Sequence, residues 1–168
     1  MYIDELQKFK DEGWIPDLIG ISALFTAAFR NSVDCANTCQ ALFDNSIVFS
    51  GGGVPTSLWK YILSNYDSFD ALSYGEGERP IAALMNSQSP KDFLLEHPSW
   101  ITKQKIDNDP SFEPQHDWIF DLDEIPLYDY HLINPDDYAV APIAATYTSH
   151  NSEVKPIFNM ATSRGCPY

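Results

Sequence analysis

Positive charge is scarce in this chain: 10 Lys and Arg stand against 24 Asp and Glu, for a formal charge of -14. A surface of that sign repels phosphate backbones and anionic lipid heads, so nucleic acid is excluded as an expected partner. Long apolar runs are also missing. The longest candidate, residues 18–29, is broken by Ser22 and Thr26 and falls short of the roughly 18 to 20 apolar residues of a membrane-spanning helix. The first eleven residues carry neither the basic start nor the apolar stretch of a secretory signal. Cysteine is sparse, and Cys35, Cys39 and Cys166 are too few and too irregularly placed for a disulfide framework. An odd count without a signal fits a reducing compartment, and the cytoplasm is the expected location.

Several familiar motifs are missing as well. Gly51-Gly52-Gly53 is not followed by the Lys-Ser/Thr of a phosphate loop, and Gly75-Glu76-Gly77 leads to Pro80 where a dinucleotide fingerprint needs a third glycine. No G-x-S-x-G elbow is present. His97, His116, His131 and His150 are scattered without a second ligand at helical or hairpin spacing. That distribution gives zinc no support and leaves each histidine as a surface or packing residue. Cys35 and Cys39 share one face of a predicted helix, but Leu42 stands where a third cluster cysteine would be. The pair is read as ordinary buried small residues.

What the chain does have is enough apolar material for a core. Of its 168 residues 44% are hydrophobic and 14% aromatic, which suits one domain and part of a second. Up to residue 86, apolar runs alternate with helical periods. Residues 2–12 read as a helix stopped by Gly13 and Pro16, 18–22 (LIGIS) as a buried strand, and 27–43 as a helix. A strand at 47–49 runs into the glycine triplet. Thr56 or Ser57 caps a helix carrying Leu58, Tyr61 and Ile62, a third strand at 69–74 stops at Gly75-Glu76-Gly77-Glu78, and a helix follows over 79–85. The pattern predicts an α/β fold with a parallel sheet, whose ligands sit outside the carboxyl ends of the strands, here Ser22, Gly51 and Gly75. Residues 87–155 are rich in Pro, Asp and aromatics and read as a linker with one helix at 90–96, and 156–161 (PIFNMA) as a new strand.

Taken in order, PDLIGISALFT (16–26), VFSGGGVPT (48–56), FDALSYGEGE (69–78), DLDEIP (121–126) and TSRGCPY (162–168) resemble the B12-binding-domain radical SAM proteins. In these a cobalamin-binding Rossmann-like domain precedes a radical SAM barrel. The resemblance covers residues 16–85, 117–130 and 156–168. It implies an incomplete Rossmann-like, flavodoxin-like parallel sheet over 1–86, a loop-rich linker over 87–155, and the first strand of a barrel over 156–168.

What the resemblance implies for function is specific. Ser22, Leu24, Gly51 and Gly52 map onto the cavity that takes the nucleotide tail of cobalamin, and the turn that carries Gly75 and Glu76 borders the corrinoid. A bulky tail enters between strand ends only where side chains are small or absent, and a hydroxyl there bonds a buried polar edge. Cys166 maps onto the first cysteine of the Cys-x-x-x-Cys-x-x-Cys set that holds a [4Fe-4S] cluster, with S-adenosylmethionine on the open iron. The implied chemistry is one-electron cleavage of S-adenosylmethionine to a 5'-deoxyadenosyl radical, with methyl transfer through cobalamin in the complete protein.

Since the second and third cysteines do not follow within the chain, and the strand and helix that open the family's domain do not precede it, the resemblance implies a fragment that is inactive alone. Its partners are then cobalamin and the remainder of the barrel. Residues 129–134 (DYHLIN) approximate the family's cobalt-ligating Asp-x-His-x-x-Gly loop, but they lie after the glycine turn and not before it, so His131 is not assigned as a ligand. The alternative is a noncatalytic or degenerate cobalamin-binding, Rossmann-like module. A third reading is a solitary α/β interaction domain without a cofactor.

Overall fold

Ile47, Val48, Phe49 and Ser50 are buried one after another. A strand with no solvent face belongs inside a sheet covered on both sides. The structure, a computed structural model, describes residues 2–126, 129 and 164. Within it, β1 (Leu18–Ser22), β2 (Ile47–Gly51), β3 (Ala71–Ser73) and β4 (Trp100–Ile101) form one sheet in the order β1-β2-β3-β4. The first two pairings are parallel and the last is antiparallel. This is a mostly parallel, Rossmann-like α/β fold.

Alternation along the strands sorts the core into two faces. Val48, Leu72 and Ile101 point to one side, where they meet Val33, Ala36 and Cys39 of α2 (Phe29–Leu42) and Val54, Trp59 and Ile62 of α3 (Gly53–Asn65). Leu6 of α1 (Tyr2–Asp11) joins the edge of that cluster. Ile47, Phe49, Ala71 and Trp100 point the other way, toward Leu84 of α4 (Glu78–Met85) and Leu94 of α5 (Pro90–Glu96). Each Val, Leu, Ile or Phe among these, fully buried, contributes about 1.5–3 kcal/mol. Both crossovers step in one direction across the sheet and put α2 and α3 on the same face, as right-handed connections do. The opposite face has α4 and α5 over its middle, while Gly20 and Ser22 of β1 remain exposed. That uneven cover leaves room at one corner.

Several boundaries differ from the sequence reading, each for a local reason. A 3-10 turn, Thr26–Ala28, precedes α2. Helix α3 begins at Gly53, inside the glycine triplet, and departs from helical geometry at Leu58 (φ -121°, ψ 19°). Leu58 and Tyr61 are exposed, and Trp59, Ile62 and Leu63 fill the core in their place. The compact unit spans Met1–Ile125, so the division at residue 86 does not coincide with it. Residues 90–108 supply α5, β4 and α6 (Lys103–Asn108), the last capped by Thr102, whose Oγ1 accepts from the Lys105 N–H at 3.1 Å. Strand β4 is antiparallel and two residues long, too short for any periodicity to reveal. The strand expected at 156–161 and the barrel it would open lie outside the described residues.

Candidate functional site

The carboxyl ends of β1, β2 and β3 come side by side through the strand register. Ser22 pairs with Gly51 in β1 and β2, and Ser50 with Leu72 in β2 and β3. One step further along, Gly51 falls beside Ser73, and a Cβ on Gly51 would lie 3.5 Å from the Ser73 Cβ. A row Ser22, Gly51, Ser73 therefore crosses the sheet on the face where helices give least cover. It forms the floor of a cavity of about 400 Å³ whose lining also includes Gly52, Gly75 and Ile81.

Glycine makes this space in two different ways. At Gly20 a Cβ would come 2.8 Å from the outer end of the Phe49 ring, so absence of a side chain lets that ring approach β1 closely. Gly52 (φ 107°) and Gly75 (φ 78°) occupy the left-handed region, where a side chain is strained. A Cβ on Gly52 would also meet the Ala23 carbonyl oxygen at 2.9 Å, and one on Gly75 would strike the His116 ring.

Hydrogen bonds lash the three turns together. The Ala23 N–H donates to the Gly51 carbonyl at 2.8 Å, and the Val54 N–H to the Ala23 carbonyl at 3.0 Å. The Thr56 hydroxyl donates to the Gly52 carbonyl at 2.8 Å and accepts the Gly75 N–H at 3.1 Å. Thr56, expected as a helix cap, is thus a bridge between strand ends.

A strap of chain packs on the third turn. The Ile119 N–H donates to a Glu76 carboxylate oxygen at 2.7 Å. Arg79 donates to the Trp118 carbonyl at 3.0 Å, lies 3.5 Å from Asp117, and pairs with Glu124. His116 is stacked on Trp118, their centroids 4.3 Å apart, and lies 4.4 Å from the Tyr74 ring. Glu76, expected to border a ligand, anchors this strap. Arg79, which directly follows GEGE, pairs with Glu124 of DLDEIP and so holds the two segments near each other.

The expected residues are therefore distributed unevenly. Ser22, Gly51, Gly52 and Gly75 line one cavity. Leu24, 62% exposed, lies in a neighbouring apolar depression with Phe25 and Leu58. Cys166 and His131 lie outside the described residues. Burial pushes the Cys39 thiol up to about 11, with the neighbouring Cys35 adding to the shift, so Cys39 stays a protonated packing residue. Among the described residues no group of three or more His, Cys, Asp or Glu is arranged to hold a metal. No helix among them is long and apolar enough to cross a membrane.

Sequence reasoning missed Ser73. Its side chain is 1% exposed, lines the same cavity, and its Oγ has no hydrogen-bond partner among the described residues. A larger depression, about 490 Å³, opens at the opposite ends of the strands. Of its charged lining residues, Lys103 pairs with Asp67, and Asp70 accepts the Val48 N–H at 2.7 Å.

No family model matches the chain. It is similar to a protein of Pyrococcus horikoshii named an uncharacterized methyltransferase, with 28% identity over 155 residues. The similarity covers 91% of this chain, which spans 30% of that relative's length.

Proposed function

We propose that this chain is the cobalamin-binding portion of a radical S-adenosylmethionine enzyme that acts as a methyltransferase in its complete form. The observation that carries the reading is the convergence of Ser22, Gly51, Gly52 and Gly75, drawn from three separate motifs, on one cavity at the strand ends. The family resemblance gives Ser22, Gly51 and Gly52, with Leu24, to the cofactor tail, and Gly75 to the border of the corrinoid. The methyltransferase name of the Pyrococcus horikoshii protein supports the same reaction class.

The residues present fit the group. Glycine backbone floors the cavity where a Cβ would otherwise intrude, Phe49 and Ile81 give it apolar walls, and an unpartnered buried hydroxyl faces it. Such a pocket suits a flat, mostly apolar body with a few polar atoms. Cobalamin held by these residues would supply methyl-transfer chemistry, and a [4Fe-4S] cluster, with Cys166 as one of its thiolates in the complete protein, would supply the reducing chemistry.

The chain's own residues bind and orient. Ser22 offers a solvent-exposed hydroxyl at one end of the floor, and Gly51 leaves the passage between the strand ends clear. Gly52 and Gly75 allow the tight left-handed turns beside the cavity, and Thr56 fixes the spacing between those turns. Leu24 adds apolar surface beside the rim. In this reading Cys166 contributes one cluster thiolate at the opening of a barrel that begins at 156–168, after a linker. The remaining barrel is the structural partner and the cytoplasm the location.

The test is uptake of hydroxocobalamin by the full chain, followed by its visible spectrum through gel filtration. Comigration that is lost in Gly51→Val and Ser22→Leu supports the pocket. Absence of comigration in the parent chain, or comigration unchanged in both variants, overturns it.

A further inference from the structure

We propose that Ser73 is the inner polar contact of the strand-end cavity, its hydroxyl bonding a heteroatom on the buried end of a flat heteroaromatic group. The inference rests on the corrinoid reading of the same site and assigns the inner polar contact to a residue to which the family resemblance gives no role.

Two hydroxyls stand on the cavity floor. Ser22 and Ser73 flank Gly51, and strands spaced about 4.8 Å apart put their backbones roughly 9.6 Å from each other. Between them lies only glycine backbone, which gives a flat ring room to rest. The two hydroxyls differ in solvation. Ser22 is exposed, so a ligand bond there replaces one to water and gains little. Ser73 is 1% exposed and has no hydrogen-bond partner among the described residues. A ligand atom that bonds its Oγ removes a standing deficit, so most of the polar selectivity of the site falls to Ser73.

A purely structural role explains Ser73 poorly. Its neighbours in the strand, Ala71 and Leu72, are buried and apolar, and its register partner Trp100 is fully buried. Alanine would fill the position without an unpaired oxygen. A hydroxyl that serves packing in a strand normally finds a carbonyl, as the Ser50 hydroxyl does by donating to Ile21 at 2.9 Å. Ser73 finds none. Its surroundings are also chemically selective: Phe49, Ile81 and glycine backbone tolerate a ring, and a charged group would be left without a counter-charge among these lining residues. The class that fits is a neutral heteroaromatic ring presenting one acceptor or donor at its inner edge.

The experiment uses the full chain, Ser73→Ala, and two probes: cobalamin, and cobinamide, the same corrin ring without the nucleotide tail. Affinities are read by spectral titration, and the melting midpoint of each ligand-free protein is recorded alongside. Ser73→Ala is expected to weaken cobalamin binding about tenfold, to leave cobinamide binding unchanged, and to melt no lower than the parent. Equal cobalamin affinity in both proteins overturns the role of Ser73 and leaves the corrinoid reading standing. So does an equal loss for both probes, or a lower melting midpoint with cobalamin affinity retained. A parent chain that takes up neither corrinoid overturns both readings together.

Discussion

The Thr56 hydroxyl accepts the backbone N–H of Gly75 at 3.1 Å, and so ties the start of α3 to the end of β3. Because the same oxygen donates to the Gly52 carbonyl, one side chain sets the distance between two walls of the cavity. Thr56→Val keeps the shape and removes both bonds. The expected loss is about 1–2 kcal/mol of stability, with weaker corrinoid uptake, and Thr56→Ser should recover most of both. Denaturant melts and spectral titration of the three proteins check this. Uptake at the parent level in Thr56→Val would show that the bridge does not shape the pocket.

Adjacent glycines should respond in opposite ways. At Gly52 an added methyl group faces both a left-handed backbone and the Ala23 carbonyl oxygen at 2.9 Å, so Gly52→Ala is expected to cost about 1–3 kcal/mol. At Gly51 the nearest atom is the Ser73 Cβ at 3.5 Å, an ordinary contact. Gly51→Ala should therefore fold as the parent does and lose ligand affinity by filling the floor. Equal stability of the two variants in urea would contradict the assignment.

Release of the strap is a third measurable event. Glu76→Gln replaces a charge-assisted acceptor for the Ile119 N–H by a neutral one, and such bonds are roughly twice as strong in the charged form. Hydrogen exchange at Ile119 should then accelerate, about fivefold to tenfold for a loss near 1 kcal/mol, while amides in β2 keep the parent rate. Exchange at Ile119 that does not change would mean that other contacts hold the strap.

Acid sensitivity should trace in part to His97. Burial lowers its affinity for a proton, and nearby Lys105 lowers it further against the opposing pull of Asp117. Its Nδ1 accepts the Ser99 N–H at 3.2 Å, a bond that only the neutral ring can make. The unfolded chain, with the ordinary histidine value of about 6.5, takes up the proton first as pH falls. Stability is therefore expected to drop from pH 6.5 downward and to level off below the folded value. His97→Gln should melt with a shallower dependence across that window. Parallel curves for the two proteins would assign the sensitivity to the carboxylates instead.

The sheet was legible wherever one residue's neighbours in sequence are also its surroundings. The apolar run of β2, the turn glycines and the helical period of α2 are local signals, and the strand ends that they mark do line one cavity. Ser73 was not legible, because a serine beside Leu72 looks the same whether its hydroxyl is bonded or stranded, and only the register with Gly51 places it on the cavity floor. The strap was hidden for a different reason. Ile119 and Glu76 are 43 positions apart, and no local pattern announces that a glutamate after a turn will be taken up by a distant amide. Leu24 stands two residues from Ser22 and Glu76 directly after Gly75, yet Leu24 lies in the neighbouring depression and Glu76 bonds the strap.

The spatial order of the four strands repeats their order along the chain. Each strand after the first finds its partner already synthesised, and none of the four is inserted between two that came earlier. Assembly can then proceed vectorially, with β1, α2 and β2 closing a short loop before β3 arrives, so the early steps involve low sequence separation and a modest entropic barrier. A sheet whose central strand came last would hold its apolar faces open until that strand arrived, whereas among the four described strands the growing edge is the newest one.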